Sequence, residues 1–233
     1  MSTGALFSAL EATWPPVSSR RVGPFRLREG AGGGKRVSAA VLDGAFSEPA
    51  LDAAEAAGAR LFQLRGEDDA ALDAALEARG YRVVDPTLLY VAPIETVAAK
   101  PRPVSLLGTW PPLAIQRQIW ADGGIGPERL AVMARASVPR NAFIARFQNR
   151  AAGSGFIAID QGIAMLHALH IEPEFRRQGV ARYMVQGMAH WAQEQGAHTF
   201  ALAVTQGNAP ARALYSALGM TEAGAYHYRE KTT

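Results

Sequence analysis

The sequence predicts an α/β protein, and four observations support this prediction. Residues 180–195 carry apolar side chains every three or four positions, which is typical of an amphipathic helix. Apolar, strand-like segments flank this helix at residues 163–171 and 198–204. Hydrophobic residues make up 48% of the 233 residues and charged residues 19%, as in globular proteins. In the first half, helices and strands also alternate, at residues 49–57, 60–64, 69–79 and 81–91.

A glycine-rich run at residues 30–35 joins two predicted strands, at residues 24–28 and 36–42. The run does not fit a Walker A loop, because Glu29 and Arg36 stand where such a loop needs glycine and serine or threonine. The Rossmann spacing fails as well, since its third glycine is missing. We therefore interpret the run as a turn in which glycine permits positive φ.

Two prolines around an arginine at residues 97–103 predict an extended linker. We place a boundary there and predict a first domain at residues 1–100 and a second at residues 101–233. The second domain contains further predicted helices and strands, at residues 113–121, 127–135, 141–148, 155–159 and 210–218.

A weak internal repeat relates the two halves. Residues 76–81 (Leu-Glu-Ala-Arg-Gly-Tyr) resemble residues 215–220 (Tyr-Ser-Ala-Leu-Gly-Met), and each segment follows a strand and a helix at nearly equal spacing. The same register places the counterpart of residues 176–181 near residues 37–43, where no matching loop stands. The first half is therefore a candidate second copy of the same fold, although short matches of this kind also arise by chance.

Charge and composition exclude several classes of protein. The net charge is only +3, and no basic run with interleaved aromatics predicts a nucleic-acid partner. There is no cysteine, so disulfides, thiolate metal sites and cysteine nucleophiles are excluded. No run reaches the roughly 18 apolar residues of a membrane span. The first eleven residues lack the basic region of a signal peptide, so we expect a cytoplasmic protein without membrane contact.

Residues 166–179 combine a strand, two arginines and a glycine that opens the long helix. Backbone N–H groups at a helix N-terminus are unpaired, and the helix dipole favours negative charge there. Gly179 lacks a Cβ, so a phosphate could approach the backbone, while Arg176, Arg177 and Arg182 add positive charge. The pattern indicates an anion site. The alternative is an ordinary strand–turn–helix with a solvated basic tip.

Two segments of the second half resemble motifs of one known family. The first is the run Arg176-Arg177-Gln178-Gly179-Val180-Ala181, which is similar to the Arg/Gln-x-x-Gly-x-Gly/Ala pyrophosphate loop of the GNAT superfamily of acetyltransferases. The second is residues 208–220, which resemble that family's Asn-x-x-Ala-x-x-Leu-Tyr-x-x-x-Gly-Phe segment. Order and spacing agree over residues 163–220. The whole chain also resembles two-part GNAT proteins whose first half is degenerate.

This resemblance implies a mixed, mostly antiparallel twisted sheet flanked by helices, in two tandem GNAT-like lobes. It implies acetyl-CoA as cosubstrate, without a metal. The amides of residues 177–181 would hold the pyrophosphate beside Arg176. Backbone groups of Leu169 and Ile171 would pair with the pantetheine arm, and Asn208 would reach the arm or the thioester. Tyr215 would protonate the departing CoA thiolate.

Tyr215 suits that role because a phenol of pKa about 10 is protonated at neutral pH and can donate to a thiolate. Many family members carry a glutamate base twelve residues before the tyrosine, but Ala203 stands there in this chain. Residues 165–169 resemble the strand of arylalkylamine acetyltransferases in which a histidine helps to remove the amine proton. His167 is therefore our candidate base. The alternatives are a structural role for His167, and Glu172 as the base.

The sequence thus predicts direct transfer of an acetyl group from acetyl-CoA to a primary amine of a small molecule or peptide. Because the usual base is missing, a non-catalytic acyl-CoA sensor is the alternative. The identity of the acceptor and a homodimer are left open. Residues 226–228 predict a last strand that alternates between core and surface and that could line the acceptor groove.

Overall fold

The computed structural model describes residues 2–231. The helices are α1 (Thr3–Thr13), α2 (Lys35–Ser38), α3 (Glu48–Ala56), α4 (Ala70–Ala78), α5 (Ile94–Val97), α6 (Ala114–Asp122), α7 (Pro127–Arg135), α8 (Val180–Glu194) and α9 (Ala209–Ser216). The strands are β1 (Ser18–Val22), β2 (Phe25–Glu29), β3 (Val41–Leu42), β4 (Leu61–Leu64), β5 (Arg82–Pro93), β6 (Leu106–Thr109), β7 (Arg140–Phe147), β8 (Arg150–Asp160), β9 (Ile163–Ile171), β10 (Thr199–Thr205) and β11 (Thr221–Glu230).

Eight strands form one sheet in the order β4-β11-β5-β10-β9-β8-β7-β6. Neighbouring strands are antiparallel except for β9 and β10, which run parallel. A second sheet, β1-β2-β3, is linked to β4 by a parallel bridge between Ala40 and Phe62. The prediction of a mixed, mostly antiparallel sheet is confirmed.

Strands from the two halves of the chain alternate in the middle of the large sheet. β11, from the second half, lies between β4 and β5 of the first half. β5 in turn lies between β11 and β10. Both segments therefore contribute strands to one sheet. The division into a first domain at residues 1–100 and a second at residues 101–233 stays a prediction.

Helices cover both faces of this sheet. On one face α8 packs Val180, Met184 and Met188 into the core, and α9 lies on the same side. On the other face α1 and α6 contact β8 and β9, where Trp120 packs near Phe156. Within residues 2–231, no helix has the length and apolar character needed to cross a lipid bilayer.

The prediction of one strand over residues 36–42 is wrong for its first part, which forms the helical turn α2. Gly34 has a φ of 99°, which redirects the chain, and Ser38 Oγ donates to its carbonyl at 3.1 Å. The turn buries Val37 in the core to which α7 also contributes. Tertiary packing therefore overrides the local strand preference here.

Candidate active site

Strands β9 and β10 lie side by side only at their beginning. They pair in parallel from Ile163 and Thr199 to Leu166 and Leu202, and then part. Beyond that point β9 stays paired with β8 and β10 stays paired with β5. Among residues 2–231, the facing edges of the parted strands therefore have backbone groups without a strand partner. This gap can accept an extended ligand as an added strand.

A β-bulge lies where β9 leaves β10. Ala168 and Leu169 stand opposite the single residue Gly155 of β8, and Ala168 has a φ of 50°. Such a bulge bends its strand and is common next to active sites. Trp120 Nε1 of α6 donates to the Ala168 carbonyl at 2.8 Å, so α6 holds the bulge in place.

The predicted anion loop follows β9 and leads into α8. Its backbone has left-handed φ values at Arg177 (61°) and at Gly179 (81°), the residue before the helix. The amides of residues 177–182 donate to no backbone carbonyl among residues 2–231. Gly179 has no side chain that could cap the helix. The loop can therefore hold an anion through several N–H groups at once.

Two side chains brace this loop. Arg176 Nε donates to the Ile171 carbonyl at 3.0 Å, and Gln178 Nε2 donates to the Glu174 carbonyl at 2.7 Å. A ligand that pairs with Ile171 must share that carbonyl with Arg176 or displace the guanidinium. The side chain of Val180 is buried in the core, so only its amide can face a ligand.

Helix α9 follows β10 and carries the other two predicted residues. Asn208 caps this helix, since its Oδ1 accepts from the Ala211 amide at 3.2 Å. Tyr215 is buried, and its ring centroid lies 6.0 Å from that of Tyr90. Burial raises the pKa of Tyr215 to about 12. Its hydroxyl therefore stays protonated at neutral pH and can donate a hydrogen bond to a developing anion.

His167 lies on the sheet face covered by α1. Its Nε2 is 2.9 Å from Thr13 Oγ1, whose hydroxyl donates to the Ala9 carbonyl at 2.6 Å, so Nε2 carries the proton of the ring. Its Nδ1 accepts from Arg36 Nη1 at 3.3 Å. Burial, and then the charge of Arg36, holds the pKa of His167 well below its ordinary value. This geometry disfavours His167 as a base, and its catalytic role stays a hypothesis.

A cavity of about 470 Å³ opens beside His167. Ala168 and Thr205, on the two parted strands, both line it. Arg36 comes from the first half of the chain and Arg129 from α7, and no local sequence motif marks either of them as a site residue. Tyr226 and Tyr228 of β11 complete the lining, in agreement with their predicted position on the last strand.

A larger cleft of about 710 Å³ lies beside α1, away from the gap between β9 and β10. Its lining is acidic, because the carboxylates of Glu11, Asp43, Asp68 and Asp69 outnumber Arg26 and Arg65, and an acidic cleft does not suit an anionic cofactor. We therefore place the candidate site at the smaller cavity. Among residues 2–231, no group of three or more histidine, aspartate or glutamate side chains is arranged to hold a metal ion.

Comparison with known proteins relates one part of the chain to a known family. Residues 112–220 match the family model of the acetyltransferase (GNAT) family. This segment is a GNAT acetyltransferase domain. The chain that carries this GNAT domain is 23% identical, over 235 residues, to an uncharacterized N-acetyltransferase, YobR, of Bacillus subtilis (strain 168). The match covers 94% of this chain and 95% of that protein.

Solved structures share the fold over nearly the whole chain, beyond the GNAT domain itself. A GCN5-related N-acetyltransferase from Kribbella flavida superposes with a TM-score of 0.73 at 18% identity, covering 100% of this chain and 97% of that one. A tandem GNAT protein from the clavulanic acid biosynthesis pathway gives a TM-score of 0.61 at 13% identity, covering 94% and 84%. At these identities the likeness is one of fold.

We expect the variant His167→Gln to lose part of the pH dependence of stability. Because folding lowers the pKa of His167, the unfolded chain alone gains a proton here as the pH falls below about 6.5. The wild type should then lose up to about 1.4 kcal/mol of its free energy of unfolding per pH unit through this residue. Urea unfolding between about pH 5 and pH 7 measures this loss.

The control is Gln193→Ala, on the exposed side of α8, which removes no titratable group and leaves the environment of His167 intact. It should retain the wild-type slope of stability against pH. Equal slopes for wild type and His167→Gln would show that His167 is not kept neutral by its surroundings.

Proposed function

We propose that this protein is an N-acetyltransferase that moves an acetyl group from acetyl-CoA to a primary amine. The observation that carries the proposal is the position of the free amides of residues 177–182 at the mouth of the gap between β9 and β10. An arm with amide groups and an anionic end fits such a site, and acetyl-CoA has both. The match of residues 112–220 to the GNAT family supports acyl transfer.

In this proposal the pantetheine arm lies in the gap and pairs with backbone groups of Leu169 and Ile171. The pyrophosphate lies on the amides of residues 177–181. Arg176 and Gln178 support the loop through the bonds they already make. Asn208 uses its oxygen as a helix cap, so its side-chain N–H groups can donate to a carbonyl of the arm.

The amine nitrogen attacks the thioester carbonyl carbon, so that a C–N bond forms and the C–S bond breaks. Tyr215 donates a hydrogen bond, and then a proton, to the leaving thiolate. The proton of the amine goes to water in the open cavity, since the lowered pKa of His167 makes its Nδ1 a weak acceptor. Each ammonium group gives up two protons to the solvent, and Tyr215 takes one back to restore its hydroxyl, so the products are an amide, CoA and one proton.

A non-catalytic acyl-CoA sensor is the second candidate function, and two observations favour it. Ala203 stands where the usual glutamate base would be, and both ring nitrogens of His167 contact other residues. A sensor would use the same gap and the same loop, but it would not depend on the hydroxyl of Tyr215.

We expect Gly179→Glu to weaken acetyl-CoA binding at least about 100-fold. A Cβ at this position meets no atom within 4 Å, so the carboxylate would project into the space that we assign to the pyrophosphate. Isothermal titration with acetyl-CoA measures the affinity.

Gly196→Glu is the matched control, at the other end of the same helix. Gly196 has a φ of 87°, and a Cβ there also meets nothing within 4 Å, so both variants carry the same backbone strain of about 1–2 kcal/mol. The control should bind like the wild type. Equal affinities for both variants, or wild-type protein that does not bind, would contradict the proposed cofactor site.

We expect Tyr215→Phe to lower kcat about 100-fold or more without changing the affinity for acetyl-CoA, because the variant lacks the proton donor. Release of CoA thiol during turnover measures the rate. Tyr81→Phe is the control, since Tyr81 is another buried tyrosine whose hydroxyl donates to Glu55. It should change stability but not kcat. Turnover that survives in Tyr215→Phe would remove the assigned acid, and a wild type that binds acetyl-CoA without turnover would favour the sensor.

A further inference from the structure

The cavity beside His167 is built by both halves of the chain. The glycine-rich turn of the first half packs against α7 of the second half: a Cβ at Gly33 would lie 2.5 Å from Val132 Cγ2. At Gly34 a Cβ would lie 3.7 Å from Nε and Nη2 of Arg129. Close packing of this turn therefore brings Arg36, just after it, and Arg129, on α7, to the same cavity.

The positive charge of this cavity exceeds its negative charge. Asp85 is the carboxylate among its lining residues, and it already pairs with Lys35 at 3.0 Å. Lys35 lies near a second carboxylate, Glu230, at 3.9 Å. Within residues 2–231, neither Arg36 nor Arg129 has a carboxylate within 4 Å. Two guanidinium groups thus face the cavity without a counter-charge.

Of the two arginines, Arg36 gives the stronger evidence for an anionic ligand. It donates to His167 Nδ1 and lies beside the hydroxyls of Tyr226 and Tyr228, all of them neutral groups. Its Nε is buried and has no hydrogen-bond partner within residues 2–231. A role in fixing the ring of His167 uses one of its five N–H groups and leaves Nε unsatisfied. A buried donor on a charged group without a partner is costly, and an anionic ligand would relieve that cost.

We propose that this cavity binds the acceptor of the transfer, and that the acceptor is a small primary amine carrying an anionic group, held by Arg36 and Arg129. This inference rests on the proposed function. Ala168 and Thr205 line both the cavity and the gap, so an amine anchored by its anionic end can meet the thioester there. A volume of about 470 Å³ suits a small molecule. Carboxylate and phosphate share the geometry that a guanidinium fork recognises.

The test compares paired acceptors that differ in one charge. The L-amino acids are assayed beside their methyl esters, and phosphoethanolamine beside ethanolamine, by thiol release from acetyl-CoA. At least one anionic amine should be used with a kcat/KM at least about 100-fold above that of its neutral partner. The amino acid and phosphoethanolamine arms distinguish carboxylate from phosphate.

Variants assign the effect to the cavity. Arg129→Gln, at the exposed rim, should raise the KM of the preferred acceptor about tenfold and leave the KM of acetyl-CoA unchanged. Arg36→Gln should raise the KM of the acceptor further. Arg36→Lys keeps the charge but loses the fork, so its acceptor KM should fall between those of the wild type and Arg36→Gln. Arg117→Gln, an exposed arginine on α6 outside the cavity lining, is the control and should match the wild type. An unchanged KM of acetyl-CoA shows that each variant is folded.

Each other result overturns the inference. Equal use of the neutral and anionic partners would exclude an anion-binding acceptor site, and so would the same acceptor KM in Arg129→Gln and Arg117→Gln. No turnover of any acceptor by a protein that binds acetyl-CoA would favour the sensor, and it would overturn the proposed transfer together with the inference. The proposed cofactor site would survive these results. Failure of the wild type to bind acetyl-CoA would overturn the proposed function, and the inference with it.

Discussion

The parting of β9 and β10 is the constraint on which the rest of the site depends. Two facing strand edges inside a sheet carry free N–H and C=O groups, which water or a ligand must satisfy. The edges of β9 and β10 that face away from the gap are held in place, because β8 pairs with β9 and β5 pairs with β10. The bulge at Ala168, held by Trp120, bends β9 at the point where pairing with β10 ends. Helix α8 then begins at the mouth of the gap with its first amides free.

The first half of the chain takes part in building this site. Its strand β5 supports β10, and its glycine-rich turn supplies one wall of the cavity. Helix α3 of the first half begins differently from α8. Ser47 caps it by accepting from the Ala50 amide, whereas Gly179 leaves the first amides of α8 unsatisfied. Leu76 stands where the repeat places Tyr215, so that half also lacks the acid.

The sequence was sufficient to predict those helices and strands that depend on local patterns of residues. Helix α8 and its preceding glycine follow from residues close together in the chain, as do the helix that carries Tyr215 and the final strand. The cluster of Thr13, Arg36 and His167 could not be predicted, because these residues come from three distant segments and meet only after folding. The alternation of strands from the two halves in the large sheet could not be predicted for the same reason. The bulge also brings His170 against Gly123, on the side of the sheet that α6 covers, and no sequence pattern marks it.

Hydrogen–deuterium exchange with and without acetyl-CoA tests the central claim most directly, because it reports on the backbone amides that the ligand would engage. We predict slower exchange in the bound state at residues 168–171 of β9 and at residues 177–182. Exchange should not change at residues 43–50, where α3 begins in the first half. Unchanged exchange at residues 168–171 with acetyl-CoA bound, or protection at residues 43–50 instead, would contradict a binding site in the gap between β9 and β10.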